Sequence, residues 1–441
     1  MLERRLGVAT VILFAAVIGA LTLRPEVSDG ILPYWCFKCG ALFLSDWILN
    51  AVLFLPFGFG VGLAWRSPAK GLVIACVFSV IIELAQRYVI PGRYPSLGDI
   101  TFNSLGGLLG ALAGSRWRTL LVPRAPVARR LAILTTMAWL SVIGFCGWAM
   151  YPSLPKLDYW GQLVADLGYL DAFPGRLIAA RLGDQPFPPT RIRDSYRVRE
   201  LFQDERAQVA ASVLPGRRTS RVAPVVSMFT QDQQETFILG QAGGSLIVRL
   251  RRRASDAGLW SPDALLDNVF SGSGGGSVPI VIHAQLSPRG VALAAWAGSD
   301  AGAQPPPGAQ RSYTDFGPAL GWSLLLPANS LGGLTRVVLT MFWLALLAAP
   351  GAYWWAAGCY TMHSRNVLAS RRFAGPALAA ILIGLGALPW LQGVHMAPVS
   401  TWLATIAAVA LSAAAAMMMA RKRLRERDPR WEVEALAEPS R

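Results

Sequence analysis

The stretch DWILNAVLFLPFGFGVGLAW, Asp46 to Trp65, opens with an acid and an amide one helical turn apart and then carries no further charge. About 20 apolar residues rising 1.5 Å each cross a hydrocarbon layer of roughly 30 Å, so this stretch reads as a membrane helix. Windows of the same kind are Gly7 to Leu23, Gly71 to Ile90, Gly98 to Gly114, Leu131 to Tyr151, Val337 to Cys359, Phe373 to Leu391 and Thr401 to Ala420. The window at Gly98 is short and rich in glycine. The whole chain agrees with this reading: of its 441 residues 53% are hydrophobic and only 15% charged, a balance unlike that of a soluble globular protein. The expected fold is a polytopic α-helical membrane protein of about eight transmembrane helices.

Orientation follows from the basic residues. With the N-terminus inside, the cytoplasmic stretches hold Arg4 and Arg5, Arg66 and Lys70, and Arg116, Arg118, Arg124, Arg129 and Arg130. Further on they hold Arg365, Arg371 and Arg372, then the tail Arg421, Lys422, Arg423, Arg425 and Arg427. The short external loops carry chiefly Arg24, Lys38, Arg87 and Arg93, which is the positive-inside asymmetry, and both termini are expected in the cytoplasm. The net charge of +15 is split among these short flanks, so it reads as anchoring at a membrane surface and not as a nucleic-acid face. No small-residue cleavage site follows the first apolar run, so an uncleaved helix is expected in place of a signal peptide.

Between the fifth and sixth spans lies a polar insert. The domains expected are residues 1–130 with four spans, 131–151 as the fifth helix, 152–336 as an extracytoplasmic domain, 337–420 with three more spans, and 421–441 as a basic tail. The insert alternates as strands do at Val222 to Phe229, Thr236 to Leu239, Ser245 to Leu250, Val278 to Gln285, Val291 to Trp296 and Gly321 to Leu326. Turn chemistry separates them at Gln241 to Gly244, Ser271 to Ser277 and Ser287 to Gly290. Short strands at this spacing predict an all-β sandwich. The run Phe237 to Leu250, strand then glycine turn then strand, resembles the hairpin of laminin-G or concanavalin-like jelly rolls. That resemblance implies a glycan contact, with a ligand-free spacer domain as the alternative.

Acid and amide pairs at helical spacing mark the second, third and fourth spans: Asp46 with Asn50, Glu83 with Gln86, Asp99 with Asn103. Each ionisable group at the centre of a span costs roughly 2.5–3.5 kcal/mol, which makes such residues functional candidates by default. With the second span entering from outside, the third running outward and the fourth re-entering, all three pairs converge on one layer at the outer leaflet. Asp46 and Asp99 stand at helix starts, where an acid also caps free backbone donors. Glu83 lies deeper, about 10 Å down its helix.

The order Asp46-Trp-Ile-Leu-Asn50, Phe54-Leu-Pro56-Phe-Gly58, Glu83-Leu-Ala-Gln86, Pro91-Gly-Arg93 and Ser96-Leu-Gly-Asp99-Ile-Thr-Phe-Asn103-Ser-Leu-Gly106 resembles the VanZ-like membrane family. The resemblance covers about the first quarter of the chain. It implies a cell-envelope role, a link to resistance against the glycopeptide teicoplanin, and kinship with membrane enzymes that act on lipid head groups. The partners it implies are a membrane lipid or a lipid-linked cell-wall or exopolysaccharide precursor, with a cell-wall glycan at the external domain.

For chemistry on a lipid phosphate the residues divide naturally. Arg87 and Arg93 suit an anionic phosphate through their guanidinium forks. Glu83 is the candidate general acid or base, and Asp99 and Asp46 complete the catalytic set, one of them orienting it or holding a metal. Asn50, Gln86 and Asn103 are candidates for holding the head group. The same set serves equally for binding without chemistry, or for fastening helices by polar contacts of about 1 kcal/mol each. No cofactor is named by this pattern. Cys36 and Cys39 in the first external loop read as a disulfide or free thiols, since a zinc site would need two more ligands and only His395 is topologically available. Cys76, Cys146 and Cys359 read as small core residues and His283 as structural, while His363 falls in a cytoplasmic loop with no partner in the sequence. Gly58, Gly60, Gly62, Gly106, Gly107, Gly110 and Gly114 offer faces for close helix contact, and Pro56 a kink.

Overall fold

The computed structural model describes residues 1–25, 35–93, 95–166, 170–203, 205–270, 278–360 and 371–427. His363, Arg365 and the Ser271 to Ser277 turn lie outside them. The chain forms two compact units, Met1–Val142 with Met341–Gly386 and Pro398–Arg441, and Ile143–Thr340 with Ala387–Ala397.

The first unit begins with α1 (Leu2–Thr22), α2 (Phe43–Trp65), α3 (Pro68–Tyr88) and α4 (Leu97–Ser115), then the short α5 (Trp117–Leu121) and most of the long α6 (Ala125–Ala149), whose residues from Ile143 are counted with the second unit. Ser67 starts α3, its side chain accepting from the Lys70 amide with Pro68 at the first turn; Ser96 starts α4 by accepting from the Asp99 amide. Phe54, Phe57, Val61, Ala75, Ile82 and Ile18 form the apolar core of these helices. Seven described helices are long and apolar enough to cross a membrane, so this is a multi-pass membrane protein with an inserted β domain. The window expected at Gly98 is helical as α4, but it is not one of the seven, because its glycines and polar residues lower its hydropathy. What its glycines supply is proximity. A methyl built on Gly106, Gly110 or Gly114 would overlap the carbonyl oxygens of Ala51, Leu55 and Phe59 on α2.

The second unit holds α7 (Ser195–Gln203), the one-turn α8 (Arg253–Asp256) and eleven strands: β1 (Tyr159–Leu163), β2 (Arg176–Leu182), β3 (Gln185–Pro186), β4 (Ala207–Leu214), β5 (Val222–Thr230), β6 (Glu235–Ala242), β7 (Ser245–Leu250), β8 (Asp263–Leu266), β9 (Ile280–Leu286), β10 (Gly290–Ala297) and β11 (Gln310–Asp315). They make two antiparallel sheets, of order β1-β5-β6-β7-β8 and β11-β10-β9-β4-β2-β3. The expected hairpin is there: Ala242 pairs with Ser245 across Gly243, whose φ of 61° is open to glycine at no steric cost. Strand β5 is buried along its whole length, and Phe202 of α7 meets Phe237 of β6 edge to face at 5.1 Å. The sheets touch where Ser312 Oγ of β11 donates to the Leu265 carbonyl of β8 at 2.9 Å. The strand expected at Gly321 to Leu326 is instead a 3-10 helix, Pro318–Leu324. Pro318 presets its first turn, and the Trp322 indole is fixed by donating to Thr340 Oγ1 at 3.0 Å. The remaining helices are α9 (Gly333–Tyr360), α10 (Arg371–Leu382), α11 (Leu388–Leu391) and α12 (Val399–Arg427).

Asp171 ties down the approach to β5. Its Oδ2 accepts from the Arg221 amide at 2.8 Å, the Ser220 amide at 2.8 Å and the Ser220 hydroxyl at 2.9 Å. These bonds, that of the Arg221 amide first, hold the carboxyl below the usual carboxylate range. A depressed acid contributes stability above its unfolded pKa and loses it as pH falls through the folded one. Asp171→Ala should therefore destabilise the chain by about 1–2 kcal/mol at pH 7. In thermal melts its deficit relative to wild type should narrow below about pH 4, the ordinary carboxylate value; a deficit constant to pH 2.5 would contradict this.

Candidate functional site

At the ends of α1 to α4 the backbone encloses a polar cavity of about 630 Å³. The aromatic side of its frame is Trp47, which meets Phe37 and Phe43 edge to face at 5.1 and 5.0 Å and stacks on Phe102 of α4 at 4.7 Å. Gly98 allows this, because a methyl there would overlap the Trp47 ring nitrogen. Cys36 and Cys39 form a disulfide in the loop before α2. That loop is stitched to the start of α4, the Leu97 amide donating to the Cys36 carbonyl at 2.8 Å.

Of the residues singled out in the sequence, Asp46, Asn50, Gln86, Arg93 and Asp99 line this cavity together. Glu83, Arg87 and Asn103 do not. Asp46 is exposed at the first turn of α2, and Asn50 one turn below hydrogen-bonds Asp99 of α4. Gln86 Nε2 donates to the Thr22 carbonyl at 2.9 Å, tying α3 to the end of α1. Arg93 Nε donates to the Arg24 carbonyl at 3.4 Å, and its charge acts on both Glu83 and Asp99. Asn103 lies deeper, its Nδ2 donating to Ser79 Oγ at 2.9 Å as a tie between α3 and α4. Its Oδ1 is buried with no partner.

Glu83 is 1% exposed. Its Oε2 accepts from the Ser96 backbone amide at 2.8 Å. Ser96 is the residue that pattern reading left out, although Ser96-Leu-Gly-Asp99 has the form of a helix-capping signal. Ser96 Oγ accepts from the Asp99 amide at 3.1 Å and donates to Asp99 Oδ1 at 3.0 Å. In a capping box the acid three residues on takes the cap residue's own N–H. Here Glu83, from another helix, takes it, so the Asp99 carboxylate is left to Ser96 Oγ, Asn50 and the cavity. The result is a chain of hydrogen bonds, Glu83 to Ser96 to Asp99 to Asn50, running through α3, α4 and α2.

Chemically, the cavity wall carries a guanidinium with the donors an oxyanion needs, two carboxyl groups capable of proton exchange, and two amides that can both donate and accept. Glu83 does not line this wall; it touches it through its bond to the Ser96 amide and through the charges of Asp99 and Arg93.

Residues 9–118 match the family model described as VanZ/LLP1, so the helices that frame the cavity form a VanZ-like domain. No curated protein and no solved structure matches the chain.

Proposed function

We propose that the VanZ-like domain of residues 9–118 binds, and chemically acts on, a phosphate-bearing lipid head group or lipid-linked cell-wall precursor at the outer leaflet of the cytoplasmic membrane. The observation that carries this reading is the cavity whose wall combines Arg93 with Asp46 and Asp99 and with the amides of Asn50 and Gln86. Its volume, about 630 Å³, is within the range of small-molecule sites. The disulfide Cys36–Cys39 beside it supports an oxidising, extracytoplasmic side, as does the scarcity of basic residues in the same loops. In this reading both termini and the basic tail are cytoplasmic, and residues 152–336 are outside.

Arg93 holds the phosphate, because a planar fork meets two oxygens at once. Asp99, fixed by Ser96 and Asn50, is the general acid or base, and Asp46, also on the wall, holds the second proton or the polar part of the head group. Binding without turnover would use the same wall, and a link to teicoplanin tolerance fits either case.

Turnover of a labelled phospholipid and of a labelled lipid-linked precursor by the purified protein separates the two. Asp99→Asn should lower turnover by about 100-fold or more, the range expected for loss of a general acid or base, and Arg93→Lys should impair it through loss of the bidentate fork. Glu83→Gln should keep most activity, since an amide oxygen still accepts the Ser96 N–H. Glu83→Ala should lose stability by about 1–3 kcal/mol through the orphaned amide, and activity with it. Full turnover in Asp99→Asn and Arg93→Lys would sink the catalytic reading. An inactive but fully stable Glu83→Gln would return the proton-transfer role to Glu83.

A further inference from the structure

A second polar cavity, of about 840 Å³, lies within the β-bearing unit, with Tyr151, Glu205, Arg206, Arg289, Tyr313 and His395 on its wall. Arg206 stands just before β4, Arg289 in the β9–β10 turn, Tyr313 on β11 and His395 in the loop after α11. Among the described residues neither the Arg206 nor the Arg289 side chain makes a hydrogen bond or ion pair.

The acid on the wall, Glu205, and the neighbouring Asp315 are already engaged. Glu205 receives both arms of Arg197, at 2.7 and 2.9 Å, and Asp315 Oδ1 lies 3.2 Å from His395 Nε2. The local balance is therefore positive.

A third guanidinium strengthens it from behind. Arg252 is 0% exposed, with its guanidinium carbon 3.5 Å from the centre of the Phe316 ring. It donates to the Met150 carbonyl, while its Nε and its other terminal nitrogen have no partner. Met150 precedes Tyr151 of the cavity wall, and the Phe316 amide donates to the Arg289 carbonyl at 2.9 Å. The buried charge thus sits against the wall that carries Arg289. Burial pushes its pKa down to about 9, which leaves it cationic at neutral pH. A buried guanidinium with no carboxylate is costly, and a counter-charge close by is what lowers that cost.

We propose that this cavity is an oxyanion site for the phosphate of an envelope molecule, gripped by Arg206 and Arg289 over the fixed positive field of Arg252. A phosphate monoester brings about −1.5 to −2 charges and three strong acceptor oxygens, which matches several converging guanidinium groups better than a carboxylate does. The site is separate from the cavity at Asp46 and Asp99 and does not depend on the function assigned there.

The test uses the full-length protein in detergent. Calorimetric titration with glycerol 3-phosphate, and with acetate as the carboxylate control, is compared among wild type, Arg206→Gln/Arg289→Gln and Arg93→Gln. Native mass spectrometry in parallel follows retention of an anionic phospholipid. The expected result is salt-sensitive phosphate binding that persists in Arg93→Gln, where the other cavity has lost its guanidinium, and a binding component at least about tenfold weaker in the double variant at an unchanged melting temperature. Loss of phospholipid retention in the double variant, without binding of the soluble phosphate, assigns the site to a lipid phosphate. Acetate bound as tightly as phosphate, both anions bound normally by the double variant, or binding lost only in Arg93→Gln would each overturn the proposal.

Discussion

Gly110→Leu should dismantle the VanZ-like domain, with a loss of about 3 kcal/mol or more and a fall in the yield of folded protein. Overpacking a core ordinarily costs about 1–3 kcal/mol, because side chains shift to make room. At Gly110 the obstacle is backbone: even a methyl would overlap the Leu55 carbonyl oxygen of α2. Gly58 and Gly62 of α2 are blocked in the same way by the Gly107 and Ala111 carbonyl oxygens of α4. Apolar side chains gain nothing by leaving lipid for a helix interface, so association rests on this closeness. Forcing α2 and α4 apart also separates Asp46 and Asn50 from Asp99, so the polar cavity should go with the fold. Gly19→Ala is the control, since the nearest atom to its new methyl is 3.9 Å away. It should be neutral or stabilising by about 0.5–1 kcal/mol, the helix preference of alanine over glycine. Thermal unfolding in detergent with protease sensitivity reads both variants, and a wild-type melt for Gly110→Leu would refute the packing argument.

Arg249→Met should cost about 3–5 kcal/mol in the β-bearing unit. Arg249 grips Asp263 with two bonds, at 2.7 and 3.1 Å, and reaches Glu235 at 3.4 Å. The Asp263 side chain is only 2% exposed, so removing the cation strands a buried carboxylate. Burial also pushes the Glu235 carboxyl above its usual range, against the pull of Arg249, and loss of the arginine should raise it further. A raised acid is a liability when ionised, so the variant should recover part of its stability as pH falls from 7 towards 5. Arg249→Met with Asp263→Leu should recover most of the loss, since a buried ion pair replaced on both sides by apolar groups is often neutral. Melting followed at the β-sheet circular-dichroism band decides it. A single variant as stable as wild type would mean the network is dispensable.

Much of this architecture was legible in the residue order because it depends on local rules. The membrane helices follow from apolar length, and the hairpin at Gly243 from alternation around a glycine turn. Helical spacing put Asp46 and Asn50 on one face, and that face does line the cavity. Where composition misled, the cause is physical. Neither β4 nor β11 was among the expected strands: β4, with three alanines, is poor in strong strand formers along its length, and β11 is a polar edge strand. The glycines of α4 were read as a packing face, but only the packed backbone showed that α2 carbonyls fill the space.

The sequence by itself determined which residues are available to a polar site at the helix ends; tertiary structure decided which of them line the cavity. Spacing along a helix places Glu83 and Gln86 on one face and Asp99 and Asn103 on another. It does not reveal that the chain turns between α3 and α4 so that the Ser96 amide lands on Glu83, that Gln86 finds Thr22, or that Asn103 finds Ser79. The same holds for Arg252, whose neighbours Met150 and Phe316 are remote in sequence. A buried polar group must take the nearest partner available, and for these residues that partner is brought near only when separate helices and strands have closed around it.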